Sequence, residues 1–293
     1  MPAFNRAATL ERAIESVLAQ TFTDFELLVS DNASSDHTEA ICRRYAAGDV
    51  RIRYTRHPAT IRAVDNFGFV LEAARAPYFM WLPADDYVLP RLLELAVAAL
   101  DARPDVVCAV PRAEFLATDG TREPAPGSFA LLGDVRDNIC RYLVDPMDNS
   151  RFYGLYRREA VQRVWPGEAY YGFDWALAAG TLLYGKHVEL PEVLLIREAN
   201  ERDKYTQLID GLGGSALARL LPLGRFTRVL LGRLGVRPHP RILYALLRIN
   251  VIHHVMYCQY RYPRYGRAAH RLGAGLERLG TRAWRALRGR AAA

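Results

Sequence analysis

Two apolar runs far apart in the chain, Phe25-Glu26-Leu27-Leu28-Val29 and Tyr78-Phe79-Met80-Trp81-Leu82, each lead into carboxylates, and the residues between them carry helical spacing. Short apolar runs bounded by turn residues suit strands covered on both faces. Leu10, Ile14, Val17 and Leu18 recur at helical spacing, and a second helix is predicted over about 36–45 with Ser34 or Ser35 as its N-cap. Arg51 to Thr55 alternates as a strand, Val64, Phe67, Val70, Leu71 and Ala74 mark a helix over 62–74, and Pro90 leads a helix over 92–99. Val106 to Val110 is a further strand. Repeated strand–helix units of this kind predict an α/β fold, with a mixed, mostly parallel sheet flanked by helices.

In such sheets, ligands bind at the carboxyl ends of strands. Asp31 closes the first run and Asp85-Asp86 follows the second. Adjacent carboxylates repel each other unless solvent or a cation relieves them. A hard divalent ion such as Mg²⁺ or Mn²⁺ does so through oxygen ligands and then bridges to phosphates. A solvated turn or a helix cap before Pro90 is the alternative for the pair. Asp31 in turn either begins a turn or accepts hydrogen bonds from a nucleobase imide or ribose hydroxyl. No GxGxxG or GxxxxGK loop is present, which excludes dinucleotide and P-loop folds.

One feature fits the pattern poorly. Pro2-Ala3-Phe4-Asn5 reads as the exit from a strand, yet no strand precedes it. The expectation is an empty central position in the sheet and a start assigned a few residues too late.

Cys42, Cys108, Cys140 and Cys258 form no CxxC pair, which argues against a zinc site or a disulfide framework and fits a reducing compartment. The opening residues lack a secretory signal, and the longest apolar stretch, Ile242 to Tyr257, is broken by Arg248, His253 and His254. It is also shorter than the ~20 residues of a spanning helix. A cytoplasmic location is expected.

Taken together in their order and spacing, four segments resemble glycosyltransferase family 2, whose members have the GT-A nucleotide-sugar fold. They are Pro2-Ala3-Phe4-Asn5, Ser16-Val17-Leu18-Ala19-Gln20-Thr21, the run from Phe25 to Asp36, and the run from Tyr78 to Asp86, within roughly residues 2–110. The resemblance implies that Pro2 and Phe4 line the base pocket and that Asp31 binds the base, typically uracil. Asp85 would contact the ribose or diphosphate, with Asp86 the direct ligand of Mg²⁺ or Mn²⁺. Asp65 and Asn66 match a stretch that approaches the nucleotide, although Asn66 equally suits an exposed helical turn.

Downstream, Phe152 to Ala160 resembles the family's strand-then-helix element on the acceptor side. In Tyr170-Tyr171-Gly172-Phe173-Asp174-Trp175, the resemblance makes Asp174 the catalytic base, with Tyr171 and Trp175 as sugar-stacking surfaces. A cap for a helix over 175–184 is the other reading of Asp174. Phe173 stands where an acid is usual, which leaves Glu168 as an alternative base. His187 completes a metal shell in some GT-A enzymes; here a strand-edge histidine is expected. The implied reaction is inverting transfer from a nucleotide-sugar, UDP-linked by preference, to a hydroxyl of a glycan or lipid-linked acceptor, as in cell-surface polysaccharide synthesis.

Charge divides the chain. Residues 219–290 hold sixteen arginines and one acid, a net of +15, leaving −8 for the remainder of a chain that totals +7. Arginines interleave with Leu217, Leu220, Leu221, Phe226, Leu230 and Leu234, and again with Leu272, Leu276, Leu279, Ala283 and Leu287. Basic amphipathic helices suit an anionic membrane surface; a helical cap with solvated arginines is the alternative. The expected domains are therefore a catalytic region 1–214, with halves of about 1–112 and 113–214, and a basic helical region 215–293 docked peripherally on the inner face of the plasma membrane. Nucleic-acid binding is not expected, because interleaved aromatics and a recognised motif are both missing. A catalytically inactive scaffold is a further alternative if the opening strand is absent.

Overall fold

A computed structural model of the chain describes residues 1–144, 148–199, 211 and 219–262. These divide into two compact units. The first draws on Met1–Gly133, Met147–Ala169 and Gly180–Ala199, and the second on Asp134–Pro146, Tyr170–Ala179 and the described residues after Asn200. The division cuts across the boundary expected near 214, because Asp134–Pro146 and Tyr170–Ala179 cluster with the later residues.

The first unit opens with β1 (Pro2–Ala3), α1 (Leu10–Leu18), β2 (Leu27–Asp31), α2 (Thr38–Gly48), β3 (Ile52–Arg56) and α3 (Ala63–Ala73). Its three strands pair in parallel in the order β1-β2-β3, with Pro2 opposite Ser30 and Leu27 opposite Ile52. The predicted helices form because their apolar stripes are buried: Leu10, Ala13 and Ile14 in α1, and Val64, Val70 and Leu71 in α3. α2 begins two residues later than predicted. Neither Ser34 nor Ser35 caps it; Asp36 accepts the Thr38 amide instead, at 3.0 Å. A strand does form at the start of the chain, contrary to the expectation, but it is only two residues long.

β4 (Tyr78–Phe79) and β5 (Tyr87–Val88) precede α4 (Leu92–Asp101), β6 (Val106–Leu116) and β7 (Arg122–Ala125). After α5 (Val135–Val144) come β8 (Leu155–Arg157), α6 (Arg158–Val164), α7 (Phe173–Thr181) and β9 (Lys186–Glu198). The second sheet runs β4-β8-β6-β9-β5, with β7 on β6. Its β6–β9 pairing is parallel, and its other pairings are antiparallel. Strand pairing is thus mixed, as predicted, with parallel order in β1-β2-β3 and between β6 and β9, and antiparallel pairs elsewhere in the second sheet.

The predicted strand over 78–82 stops at Phe79 because Trp81 turns into the core. Its ring is fully buried, stacks on Phe152 at 4.8 Å and meets Phe79 edge-on at 4.7 Å, while its Nε1 donates to the Phe67 carbonyl at 3.1 Å. Such ring pairs add about 0.5–1.5 kcal/mol each beyond the area they bury. This cluster anchors the chain just before Asp85-Asp86.

His187 is not at a strand edge. It lies in β9 between β6 and an isolated bridge to Leu131, is fully buried, and meets Arg151 Nη1 at 3.1 Å and Thr181 Oγ1 at 3.0 Å. Burial, and then the Arg151 charge, hold its pKa well below the usual histidine value.

In the second unit α8 (Gly224–Arg228) and α9 (Pro240–Arg261) accompany α5. Asn250 organises them: its Oδ1 accepts the Leu223 amide at 3.0 Å and its Nδ2 donates to Thr227 Oγ1 and the Leu246 carbonyl. Among the described residues, no helix is long and apolar enough to cross a membrane. Leu217 and the predicted basic helix carrying Leu272, Leu276, Leu279, Ala283 and Leu287 lie outside the described residues.

Candidate active site

Two loops meet at the carboxyl ends of β1 and β2. Asn5 Oδ1 accepts the Ser35 amide at 2.8 Å, and the Asn5 amide donates to Ser34 Oγ at 2.9 Å. Each loop carries a non-glycine residue in the left-handed region, Asn5 at φ 51° and Ala33 at φ 58°. Such conformations persist only where surrounding bonds impose them. Phe4 projects from this junction with 45% of its surface exposed, whereas Pro2 is buried in the strand. Of the two predicted base-pocket residues, Phe4 alone offers an open face.

Asp31 lies beneath the junction, fully buried. Its Oδ1 accepts the Ser34 amide at 2.9 Å, and its Oδ2 accepts Tyr54 Oη at 2.9 Å and Arg56 Nη1 at 2.6 Å. Burial alone would raise its pKa, but these donors outweigh it and hold the carboxyl below the usual range. The turn is therefore real, and Asp31 ties the loop after β2 to β3.

Asn66 is buried, not exposed. Its Oδ1 accepts Ser30 Oγ at 2.5 Å and meets His57 Nε2 at 3.1 Å, and its Nδ2 donates to the Ser30 carbonyl. It braces β2 from below. Asp65 is engaged on its own helix, where both carboxylate oxygens accept from Arg62 at 2.7 Å.

The turn after Trp81 presents the adjacent carboxylates in unequal settings. Thr9 Oγ1 donates to the Ala84 carbonyl and Arg12 Nη2 to the Asp85 carbonyl, so the start of α1 fixes the turn. The Asp85 side chain remains 30% exposed and pairs with Arg6 at 3.4 Å. Asp86 is 5% exposed; its Oδ1 accepts the Glu198 amide at 3.0 Å and its Oδ2 lies 3.7 Å from Arg197 Nε. Burial pushes its pKa up to about 7 against the opposing pull of Arg197.

Arg197 and Glu198 were not found from sequence. They end the apolar run Val193-Leu194-Leu195-Ile196, so the strand-end rule that singled out Asp31 would have reached them. Arg197 lies between the Phe115 and Tyr153 rings and donates through Nη1 to Ser150 Oγ at 3.1 Å. Glu198 accepts from Arg12 at 2.7 Å.

Among the described residues, no three His, Cys, Asp or Glu side chains converge as a self-sufficient metal cage. The pair Asp85-Asp86 nonetheless fits a hard cation. Mg²⁺ characteristically takes one or two protein carboxylates and completes its shell with water and substrate phosphates. A buried carboxylate whose neighbours leave its charge disfavoured is a suitable donor for such an ion.

The third group lies in the second unit. Gly172 takes φ 83° and α7 starts at Phe173, so Asp174 falls inside the first turn and is not the helix N-cap. Tyr171 Oη meets His253 Nδ1 at 2.7 Å, and Trp175 packs edge-on against the same imidazole at 5.1 Å. His253, from α9, was not anticipated. Burial lowers its pKa to about 4, so it is neutral at physiological pH.

The family model described as Glycosyl transferase family 2 matches residues 1–165, a stretch that includes the loop junction and both carboxylates. The chain belongs to glycosyl transferase family 2. Among relatives, it is 34% identical to the putative glycosyltransferase EpsE of Bacillus subtilis over 102 residues, 34% of this chain and 37% of that one. It is 44% identical over 54 residues to the GalNAc(5)-diNAcBac-PP-undecaprenol beta-1,3-glucosyltransferase of Campylobacter jejuni, 18% of each chain. The chain thus spans well under half the length of these relatives. The GT-A fold is shared with S. aureus TarS 1–349 in complex with UDP, at TM-score 0.54 and 16% identity over 92% of this chain and 86% of that one. It is shared also with the mannosyltransferase PcManGT of Pyrobaculum calidifontis in complex with GDP-Man and Mn²⁺, at TM-score 0.58 and 17% identity over 97% and 81%.

Proposed function

We propose that this family 2 protein transfers a sugar from a nucleotide-sugar, UDP-linked by preference, to a hydroxyl of a glycan or lipid-linked acceptor in cell-surface polysaccharide synthesis. The observation that carries the reading is that Arg6, two residues after exposed Phe4, pairs with half-buried Asp85 next to buried Asp86, which joins the loop after β1 to the carboxylate turn. The nucleotides bound by TarS and PcManGT, and the undecaprenol-linked substrate in the name of the Campylobacter relative, point the same way.

The base stacks on Phe4 over the loop junction that Asp31 holds, and Arg6 lies toward the diphosphate beside Asp85. Asp86, helped by Asp85, would hold Mg²⁺ or Mn²⁺, which would supply positive charge to offset that on the departing diphosphate. Asp174 takes the proton of the acceptor hydroxyl as its oxygen attacks the anomeric carbon. The new C–O bond forms opposite the breaking bond to the diphosphate, so the configuration inverts. Tyr171 and Trp175, held by His253, supply the acceptor surface. Exposed Leu220, Leu221, Leu243 and Leu247, set among arginines, suit peripheral contact with an anionic inner leaflet.

Screening UDP-, dTDP- and GDP-sugars for hydrolysis with Mn²⁺ tests the reaction. Turnover should appear with one donor class and vanish in Asp86→Ala and Asp174→Ala. Absence of turnover with every donor rejects the transferase reading, and full activity of Asp86→Ala with metal chelated rejects the ion. Co-sedimentation of the full chain with anionic liposomes, reduced in a variant with exposed Leu220→Ser and Leu247→Ser, tests the membrane contact; equal pelleting of the two rejects it.

A further inference from the structure

The loop between β1 and α1 fixes the backbone of Arg6 but leaves its guanidinium loosely held. The Arg6 amide donates to Thr38 Oγ1 at 2.9 Å, and its carbonyl accepts the Thr9 and Leu10 amides at 3.0 and 2.9 Å. At the other end, Nη2 lies 3.4 Å from Asp85 Oδ2 and Nη1 lies 3.4 Å from the Asn5 carbonyl, with 45% of the side chain exposed. Well-made charge-assisted bonds are shorter, at about 2.7–2.9 Å.

The other arginines at this turn are gripped by the head. Arg12 donates to the Asp85 carbonyl at 2.8 Å and to Glu198 at 2.7 Å, with its guanidinium over the Tyr87 ring. Arg197 is only 11% exposed and lies between the Phe115 and Tyr153 rings. Asp85, Glu198 and Asp86 thus face Arg6, Arg12 and Arg197 in turn, and the pair that parts most easily is Arg6–Asp85. An ion pair this exposed contributes little to stability.

We propose that Arg6 exchanges partners when the donor binds: it leaves Asp85 for the diphosphate, and the freed Asp85 carboxylate then serves the divalent ion beside Asp86. The proposal rests on the transferase reading and adds a binding order to it. While Arg6 sits on Asp85, an ion arriving alone meets a carboxylate that is already paired. A diphosphate carries more charge than one carboxylate and accepts parallel N–H bonds from a planar guanidinium, so it wins Arg6 from Asp85. Donor and ion then raise each other's affinity by the same factor through one side chain. The backbone need not move, because Thr38 and the first turn of α1 hold it.

Arg6→Ala tests this with each ligand measured alone, which sets aside the direct attraction of the ion for the diphosphate. Mn²⁺ binding without nucleotide, read from the electron paramagnetic resonance of the free ion, should tighten about threefold, the scale of a lost exposed pair. UDP binding in EDTA, read by calorimetry, should weaken about tenfold, the scale of one lost charge-assisted contact, and uridine binding should not change. GDP or dTDP with its nucleoside replaces UDP if that donor is the one hydrolysed. Arg6→Lys should return Mn²⁺ binding to the parent level and recover part of the diphosphate affinity. A merely structural role for Arg6 would weaken both ligands together. Unchanged or weaker Mn²⁺ binding in Arg6→Ala, unchanged diphosphate binding, or a loss shared by the nucleoside overturns the proposal, as does failure of all three diphosphates to bind the parent. Donor hydrolysis and its loss in Asp86→Ala are read separately, so failure of the exchange is distinguishable from failure of the transferase reading.

Discussion

Arg197 Nε lies 3.7 Å from Asp86 Oδ2 and is buried without a hydrogen-bond partner among the described residues, so this cation attracts the carboxylate without bonding to it. A charge–charge approach of this length offsets only part of the cost of burying the carboxylate. Arg197 is held instead by the Phe115 and Tyr153 rings and by Ser150 and Asp148.

Asp86→Asn should therefore stabilise the protein at pH 8 while abolishing transfer. The folded-state pKa, about 7, lies above the ordinary aspartate value of 3.8, so the folded form binds the extra proton between these values. Stability then falls as pH rises through that window, and the full cost remains above it. Asparagine keeps an acceptor for the Glu198 amide and removes the charge. At about 1.4 kcal/mol per pKa unit, the gain should be about 1–3 kcal/mol at pH 8 and vanish near pH 4 in urea titrations. A loss at pH 8 would mean that attraction to Arg197 exceeds the burial cost.

Phe4→Ala should act on donor binding and not on the fold, because Phe4 is already 45% exposed. Stacking of a base on an aromatic ring is worth about 1–3 kcal/mol, so the KM for the nucleotide-sugar should rise about tenfold or more. Tm should stay within a few degrees of the parent. An unchanged KM would remove Phe4 from the base site.

The residues of the site and their partners differ in how they were legible. The carboxylates follow from local pattern, since short apolar runs and the polar residues after them depend on nearby sequence, whereas Phe4 was reached through the family resemblance. Arg197 and Glu198 reach Asp86 across more than a hundred residues, and only the sheet order brings β9 beside β5. The exposed-turn alternative for Asn66 and the strand-edge reading of His187 both followed from polarity, yet each residue is buried with polar partners that sequence does not reveal. β4 ended early for the same kind of reason: Trp81 gains more by stacking on Phe152 than by continuing the strand. The loop carboxylate Asp31 combined both cases, its turn being local and its bonds to Tyr54 and Arg56 not.

Those bonds give a third expectation. Arg56→Ala leaves fully buried Asp31 with the Ser34 amide and Tyr54 hydroxyl but no cation. Removing one partner of a buried pair costs about 3–5 kcal/mol, and the 30% exposure of the Arg56 side chain reduces this to about 1–3 kcal/mol. Urea denaturation at pH 7 should show the loss, and Arg56→Lys should recover part of it. No loss would mean that Ser34 and Tyr54 alone satisfy the carboxylate.

His253 makes the second unit sensitive to acid. Its imidazole is 8% exposed, meets Tyr171 Oη at 2.7 Å and packs against Trp175, and burial lowers its pKa to about 4. The folded-state value lies below the ordinary histidine value of 6.5, so the unfolded chain binds more protons between the two. The stabilising term is fully present above pH 6.5 and is lost as pH falls toward 4. His253→Gln keeps an acceptor for Tyr171 but does not titrate. The stability difference between parent and variant should therefore shift by about 2 kcal/mol against the parent from pH 7 to pH 4.5, at about 1.4 kcal/mol per unit. His187, also held below its usual pKa, is present in both proteins and cancels in the comparison. The same loss should loosen Tyr171 and Trp175, raising the acceptor KM in acid before the donor KM changes. A pH-independent difference between parent and variant would show that His253 is not buried in neutral form.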